Sequence, residues 1–306
     1  MSTSVLPVAP MSADEDLNPS KEIRVRLLWK VDQLQMLPAL AMQALELAKD
    51  ADCSVRQFTS LIERDLTLAS DMLRMANSMV YSRGVPILSL QQAVVRLGFR
   101  QCKNLILASS ASSLMTQLTV KEEWIRQKLW KHSFLTASIA SFLNRAVNLG
   151  FQGEEFSAGL IHDIGRILLA LLEPTCFSRA DTMDFEEGDE DCQRTMLQRE
   201  FDLLGSDHCA LGGWFVEYSG LPKSLAEVAR LHHSPGSMMA NRPLVALVAA
   251  ADHMANYIHV NNSPAGYEPK SNAAIEYLAN SRGERQRLLE IIPAVMDDAL
   301  ANTESA

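Results

Sequence analysis

The chain has 306 residues, of which 47% are hydrophobic and 21% are charged, and its formal net charge is −9 at pH 7. This composition is typical of a globular protein with one large domain or two smaller ones. The negative charge repels a phosphate backbone, and no cluster of lysine and arginine interleaved with aromatics offsets it. We therefore expect no direct binding to nucleic acid.

The apolar runs fall well short of the roughly 18 to 20 residues that cross a bilayer, so no membrane span is expected. The first twenty residues are acidic at 14–16 and lack the basic start and apolar run of a signal peptide. Residues 1–25 are interpreted as a disordered tail and the protein as cytoplasmic. The five cysteines lie far apart and form no CxxC pair, which predicts neither disulfides nor a thiolate zinc site.

Helical patterns begin in the first third of the chain. Apolar residues at helical spacing between Leu37 and Ala48 predict a first helix. Ser54 with Gln57 forms a capping-box pattern ahead of an apolar stripe, and Ser89 with Gln92 repeats it. The pattern predicts a bundle of short helices, with no catalytic motif.

The rest of the chain continues with helical periodicity and almost no strand-like alternation. Gly98 suits a helix stop, and Asn261–Asn272 is predicted as a linker to a last helical segment, Ala273–Leu300. The predicted helices between Gly98 and that linker are Glu122–Val147, Glu154–Leu172, Asp207–Tyr218, Pro222–His232 and Pro243–Ile258. The fold class is therefore all-α. The predicted divisions are a tail at 1–25, an N-terminal helical subdomain at 26–120, a second helical subdomain at 121–260, and a linker with a C-terminal helix at 261–306.

All seven histidines follow residue 130. His132 lies on the apolar stripe of Leu129, Ala140 and Leu143, so its side chain is expected to face neighbouring helices. A hydrogen-bonded core histidine is the ordinary explanation of one such residue. The other histidines make a shared site a second explanation.

His162 and Asp163 are adjacent in an otherwise apolar helical pattern, where ionisable groups are costly to bury without partners. Neighbours on a helix diverge by about 100°, so both bind one ion only if it lies off the helix edge. Other helices must then supply the remaining ligands. Arg166, one turn further on, is interpreted either as a phosphate-binding group or as an ion-pair partner of Asp163.

Three later positions extend the pattern. His208 follows Asp207 at a predicted helix start, His232-His233 ends another helix, and Asp252 lies inside an apolar run. A carboxylate there requires a metal, a cation or several donors, and pairing with a histidine is the simpler alternative. His208 is alternatively a helix-start residue. His253 and His259 are interpreted as surface or capping residues.

Mixed imidazole and carboxylate ligands suit iron, manganese, nickel or zinc, and such ions activate water for attack on phosphorus. If the protein is an enzyme, Asp163 and Arg166 are the candidate catalytic residues. The candidate metal ligands are His132, His162, Asp163, His208, His232, His233 and Asp252.

Roughly residues 30–260 resemble the HDOD family, a relative of the HD-domain metal-dependent phosphohydrolases and the HD-GYP phosphodiesterases. The resemblance rests on short motifs in both halves of the chain. They are Leu37-Pro38-Ala39-Leu40, Ile62-Glu63-Arg64-Asp65, Ala76-Asn77-Ser78, Ala93-Val94-Val95-Arg96-Leu97-Gly98, Trp130-Lys131-His132-Ser133, Gly159 to Arg166, Asp207-His208 with Gly212, Gly220-Leu221-Pro222, and His232-His233.

The resemblance implies an N-terminal helical bundle packed on an HD-domain-like bundle, in a bacterial signal-transduction protein. It also implies that the chain keeps the HD metal-binding set at His132, His162, Asp163 and Asp252. His208, His232 and His233 match the extra histidines of the HD-GYP group. Ser234-Pro235-Gly236 stands where that group has its Gly-Tyr-Pro loop, and Arg166 replaces its usual lysine, which argues against cyclic di-GMP hydrolysis.

Two functions follow as hypotheses. The first is a regulatory module that acts through contacts with a signalling protein and holds a structural ion or a polar core. The second is a metal-dependent phosphohydrolase or phosphodiesterase with a nucleotide ligand, in which a metal activates water and Arg166 steadies a phosphate.

Overall fold

The computed structural model describes residues 18–31, 43–44, 47, 50, 53–77, 85–117, 123–151, 153–175, 190–234, 241–269, 272–282 and 285–304. These residues form helices and turns and no strand, so the predicted all-α fold is confirmed for the described part of the chain. No helix in that part is both long enough and apolar enough to span a bilayer.

Thirteen helices are defined in those ranges. In chain order they are α1 (Lys21–Val31), α2 (Val55–Ile62), α3 (Leu66–Asn77), α4 (Leu90–Gln117), α5 (Glu123–Ala146), α6 (Glu154–Ile161), α7 (Ile164–Leu172), α8 (Glu190–Leu204), α9 (His208–Tyr218), α10 (Lys223–Leu231), α11 (Arg242–Asn261), α12 (Ala273–Arg282) and α13 (Arg285–Glu304).

The capping signals act as the sequence predicts at α2 and in part at α4. Ser54 Oγ accepts from Gln57 N at 3.2 Å, and the Gln57 side chain accepts from Ser54 N at 3.0 Å. Ser89 Oγ likewise accepts from Gln92 N, but the Gln92 side chain bonds to a different amide, that of Leu88. The box at α4 is therefore half formed.

Other boundaries differ from the prediction. Gly98 has φ +76° and interrupts the helical backbone inside α4, so the predicted stop is a kink with a helix on both sides. The C-terminal segment forms two helices rather than one. The first predicted helix, Leu37–Ala48, lies almost entirely outside the described residues.

The disordered tail predicted at residues 1–25 extends too far, because helix α1 already begins at Lys21. Ile23 and Leu27 lie one turn apart on α1 and are 5% and 0% exposed. Both belong to an apolar cluster with Ile125 and Leu129 of α5. The burial of this stripe holds α1 against the second half of the molecule, which a disordered segment would not do. Residues 1–17 lie outside the described part of the chain.

Two apolar clusters meet at the centre of the second half. The first contains Leu129 of α5 and Val248 of α11, and the second contains Leu135 of α5 and Leu247 of α11. Helices α5 and α11 therefore pass through both clusters. His132 of α5 lies between Leu129 and Leu135, at the junction, where polar side chains have little access to water.

Two glycines allow the helices around this junction to approach closely. A Cβ on Gly159 would lie 2.6 Å from the Cα of Ala137 on α5, and a Cβ on Gly165 would collide with the carbonyl oxygen of His208. These contacts bring α6 against α5 and α7 against α9. Only glycine leaves room for such an approach at these two positions.

The predicted single helix Glu154–Leu172 is wrong at its centre. Helix α6 ends at Ile161, His162 and Asp163 form a turn, and α7 begins at Ile164. Apolar periodicity continues across the turn, so the sequence pattern does not reveal it. The break changes the geometry of the His162-Asp163 pair, because the two side chains are no longer constrained to diverge as on a continuous helix.

Candidate metal centre

Asp163 occupies the centre of a buried polar cluster. It is the N-cap residue of α7, but its side chain makes no capping hydrogen bond. Its two carboxylate oxygens instead face two groups of histidines. Oδ2 faces His132 and His162, and Oδ1 faces His208 and His232. Asp163 is therefore placed between two sets of potential metal ligands.

The first ligand group comprises His132, His162, Asp252 and the Oδ2 atom of Asp163. His132 Nε2 lies 3.0 Å from Asp252 Oδ1, 3.3 Å from His162 Nε2 and 3.6 Å from Asp163 Oδ2. His162 Nε2 lies 3.5 Å from Asp252 Oδ1 and 3.8 Å from Asp163 Oδ2. These side chains come from α5, α11 and the turn between α6 and α7.

The second ligand group comprises His208, His232, His233 and the Oδ1 atom of Asp163. The Nε2 atoms of His208 and His232 each lie 3.4 Å from Asp163 Oδ1. His233 Nε2 lies 3.1 Å from His208 Nε2. The two groups together contain all seven residues that the sequence analysis named as candidate ligands.

Hydrogen bonds determine which ring nitrogen carries the proton in three of these histidines. The Nδ1 atom of His162 lies 2.7 Å from the carbonyl oxygen of Gly159. The Nδ1 atom of His232 lies 3.1 Å from two carbonyl oxygens at the end of α10, and that of His208 lies 2.7 Å from Glu200 Oε2. Carbonyl and carboxylate oxygens only accept, so each Nδ1 must donate. In the neutral ring each Nε2 then has a lone pair directed into the cluster.

This arrangement suits a cation. The Nε2 atom of His232 is buried and makes no hydrogen bond to any described residue, although a carboxylate oxygen of Asp163 lies 3.4 Å away. Two hydrogen-bond acceptors whose lone pairs face each other in a buried site are unfavourable unless a positive charge lies between them. Adjacent nitrogen and oxygen ligands of one ion lie roughly 3.0 to 3.4 Å apart when the bonds are about 2.1 Å long. The distances within both groups fit that requirement with small side-chain shifts.

The carboxylates are held in the form that a metal needs. Burial raises the pKa of Asp163, but His162 and Arg166 more than offset this, and the pKa lies well below its usual range. The same holds for Asp252, where burial is offset by the neighbouring imidazoles of His132 and His162, and the pKa of this carboxyl also lies well below its usual range. Both groups are therefore anions at neutral pH.

The imidazoles divide into two kinds. Burial lowers the pKa of His162, but Asp163 and Asp252 raise it to a net value above normal. His208 behaves similarly, since burial is outweighed by Cys209 and Glu200. Burial dominates at His232 and His233, with neighbouring imidazoles adding to it, and lowers the pKa of both. His232 and His233 are thus neutral lone-pair donors at physiological pH.

Arg166 makes the ion pair that was one of its two predicted roles. Its Nη1 lies 3.3 Å from Asp163 Oδ2, and its side chain is 11% exposed. The contact does not test the phosphate-binding role.

Three residues that surround the ligands were not predicted from the sequence. Glu200 is 4% exposed and accepts from both the Nδ1 and the backbone N–H of His208. Asn256 donates to Asp252 Oδ1 at 2.9 Å, a pairing that the four-residue spacing on one helix would have indicated. Cys209 lies with His208, His232 and His233 in a set whose ligand atoms are within 4.8 Å of one another. Glu200 lies on a different helix from His208, and no local pattern connects them.

The two remaining histidines lie outside both groups. His259 is exposed, as expected, with its ring 5.5 Å from that of His132. His253 is half-buried, and its Nδ1 lies 2.6 Å from the Tyr267 hydroxyl. The interpretation of His253 as a surface residue is therefore wrong, because the linker after α11 folds back over it.

Comparison with known proteins places this chain in a family. The model of the HDOD domain matches residues 34–235. A protein of Treponema pallidum (strain Nichols), itself uncharacterised, is 24% identical over 227 residues, which are 73% of this chain and 42% of that protein. The chain thus spans less than half the length of this relative.

Solved structures share the fold at low identity. An HDOD domain protein from Geobacter sulfurreducens, of unknown function, has a TM-score of 0.68 at 21% identity, covering 92% of this chain and 98% of its own. A Shewanella amazonensis SB2B protein, named provisionally as a metal-dependent phosphohydrolase, has a TM-score of 0.59 at 18% identity, covering 93% and 100%. A Marinobacter aquaeolei VT8 protein, named provisionally for signal transduction, has a TM-score of 0.63 at 18% identity, covering 92% and 65%. On the family match and the shared all-helical fold, this chain belongs to the HDOD family.

Proposed function

We propose that this protein is a signal-transduction module that acts through contacts with a separate signalling protein, and that its second half holds a divalent transition metal. The observation that carries the metal is the convergence of Nε2 lone pairs from His162, His208 and His232, whose Nδ1 atoms are occupied elsewhere, on the carboxylate of Asp163. Iron, manganese, nickel and zinc all accept such a set of nitrogen and oxygen ligands.

Enclosure of the ligands favours a module over an enzyme. The side chains of His162, His208 and His232 are 0% exposed, and those of Asp163 and Asp252 are 5% and 3% exposed. A polar nucleotide would need an opening to reach an ion among them. An ion held this deeply is suited to fixing the arrangement of several helices relative to one another.

The N-terminal half offers a surface for protein contacts. Val85, Leu88 and Val95 are 66%, 85% and 73% exposed, and they lie close together in sequence before and within the first turns of α4. Gln92 accepts from Leu88 N, and Arg96 donates to the Val85 carbonyl, so these positions form one ordered surface. Exposed aliphatic side chains of this density are typical of surfaces that partners cover.

The alternative function is a metal-dependent phosphohydrolase or phosphodiesterase acting on a nucleotide. The favouring observation is the position of Asp163 between the two ligand groups with the Arg166 guanidinium 3.3 Å away. A divalent metal bound there would supply water activation and charge neutralisation at phosphorus. Asp163 and Asp252 would hold the metal, and Arg166 would orient a phosphate oxygen.

Metal analysis and assays distinguish the two functions. The purified protein should contain stoichiometric metal and should show no turnover of cyclic dinucleotides, cyclic mononucleotides or phosphate monoesters with added manganese or iron. Asp163→Ala should lose the metal, whereas the exposed control Asp202→Ala should keep it. Turnover that disappears in Asp163→Ala and persists in Asp202→Ala would establish the enzyme. A metal-free protein with unchanged stability in Asp163→Ala would contradict the metal centre in both functions and leave a polar core without metal.

A further inference from the structure

Cys209 is a buried thiol beside the second ligand group. It is 7% exposed and lies in the first turn of α9, directly after His208. Its Sγ and one ring nitrogen each of His208, His232 and His233 all lie within 4.8 Å of one another. The sequence pattern argues against a thiolate metal site because no CxxC pair is present, but here the thiol is combined with histidines from other helices.

A second observation points to a ligand at the same place. The buried Nε2 of His232 makes no hydrogen bond to any described residue, and its Nδ1 is already occupied by two backbone carbonyl oxygens. His232 therefore offers a ring nitrogen within 4.8 Å of the Cys209 thiol, and both side chains are buried. A cation there would satisfy both.

We propose that Cys209 is a metal ligand of the second group, and that its thiolate makes this half of the centre a zinc- or cobalt-type site. The proposal rests on the metal centre of the proposed function and adds a ligand to it. Three imidazoles, the thiolate and the Oδ1 atom of Asp163 form a nitrogen, sulfur and oxygen donor set from which zinc and cobalt accept four or five ligands. The first group, with two imidazoles and two carboxylates, has harder donors.

The two halves then differ in metal preference. Manganese and magnesium bind thiolates poorly, so they should occupy only the first group, while zinc and cobalt should occupy the second. Binding at the second group displaces the thiol proton of Cys209 to solvent, because the thiolate is the species that binds metal. No electron transfer is involved.

Cobalt(II) reports a thiolate ligand directly by its absorption. The full chain, freed of metal by chelation and kept reduced, is titrated with cobalt(II). We expect a near-ultraviolet sulfur-to-cobalt charge-transfer band that develops as the second group fills. Cys209→Ser should lose the band while still binding cobalt at the first group. Cys102→Ser, at a buried cysteine of α4, should keep it.

The outcomes separate this proposal from the one it rests on. Cobalt that binds without a charge-transfer band overturns the Cys209 assignment alone, and so does a band that persists in Cys209→Ser. Failure of the wild-type protein to bind cobalt overturns the metal centre as well. If Cys209→Ser does not fold, a variant with serine at the other four cysteines decides, since it must retain the full band if Cys209 is the ligand.

Discussion

The Nε2 atom of His232 faces the Oδ1 atom of Asp163 at 3.4 Å, while the Nδ1 of the same ring lies 3.1 Å from the carbonyl oxygens of Val228 and Ala229. Since the carbonyls fix the proton on Nδ1, the neutral ring presents a lone pair to an anion. A cation between the two atoms converts this unfavourable contact into two coordinate bonds.

His232→Asn tests this relationship. Asparagine retains a donor near the Nδ1 position, so the bonds to the α10 carbonyls can persist while Nε2 is removed. We expect zinc to stabilise the wild-type protein by about 2.7 kcal/mol at a hundredfold excess over its dissociation constant, and the variant much less. Thermal unfolding with and without zinc measures the difference. His253→Asn, at a side chain directed to Tyr267, should behave as wild type.

Glu200→Gln tests the support of His208. The glutamate accepts from both the ring and the backbone of His208, which orients the ring and increases its basicity. We expect the variant to weaken metal binding by about 10- to 100-fold. Isothermal titration with zinc gives the affinity. The matched change Glu217→Gln, at an exposed partner of Arg230, should leave the affinity within error, and an equal loss there would contradict the assigned role.

Gly165→Ala tests the approach of α7 to α9. The added methyl group would collide with the carbonyl oxygen of His208 and would lie 2.9 Å from Gly212 N. We expect a loss of about 3 kcal/mol in the free energy of unfolding, because backbone atoms must shift, together with weaker metal binding as Asp163 and His208 separate. Urea unfolding and zinc titration measure the two effects.

Gly150→Ala is its control. Gly150 has φ +89° with open space around it, so alanine there should cost about 1 kcal/mol from the left-handed backbone alone. Metal binding should be unchanged. A Gly165→Ala variant no less stable than this control would show that the close approach is unimportant.

Metal affinity should rise with pH. The pKa values of His162 and His208 lie above the usual 6.5, so the stability that their protonated forms provide is fully present below 6.5 and is lost as pH rises through the folded-state pKa. Metal must displace those protons, so zinc should bind more tightly at about pH 8 than at about pH 6. His232 and His233, with lowered pKa values, release none.

Calorimetry in buffers of different ionisation enthalpy counts the protons released on zinc binding. We expect net release at neutral pH. Affinity that is constant across this range would contradict the assignment of His162 and His208 as ligands.

Leu27→Ala tests whether α1, which precedes the family match, belongs to the fold. Leu27 is fully buried against Ile125 and Leu129, so truncation should cost about 2 to 5 kcal/mol. Val25→Ala, at a side chain that is 45% exposed, should change stability by less than about 0.5 kcal/mol. Denaturant unfolding of both variants gives the comparison, and equal effects would show that α1 is only loosely attached.

The local pattern of the sequence determined much of this protein. Apolar spacing predicted α5, α9, α10 and α11 to within three residues, and the Ser54–Gln57 pair predicted the start of α2, because both signals depend on contacts within one or two turns. It did not predict α8. Buried ionisable residues in apolar helices also identified the candidate ligands, since a charge without a partner is too costly to bury.

Tertiary structure decided how those residues are used. The helix breaks at His162-Asp163 although the apolar spacing of the sequence continues through these residues. The close packing of Gly165 on His208 makes that turn compatible with the neighbouring helix. Glu200 accepts a hydrogen bond from His208 across two helices. Cys209 lies near the imidazoles of His232 and His233, which follow the end of α10. Such contacts depend on how whole helices pack, and no short-range periodicity encodes the direction in which a side chain meets a partner far along the chain.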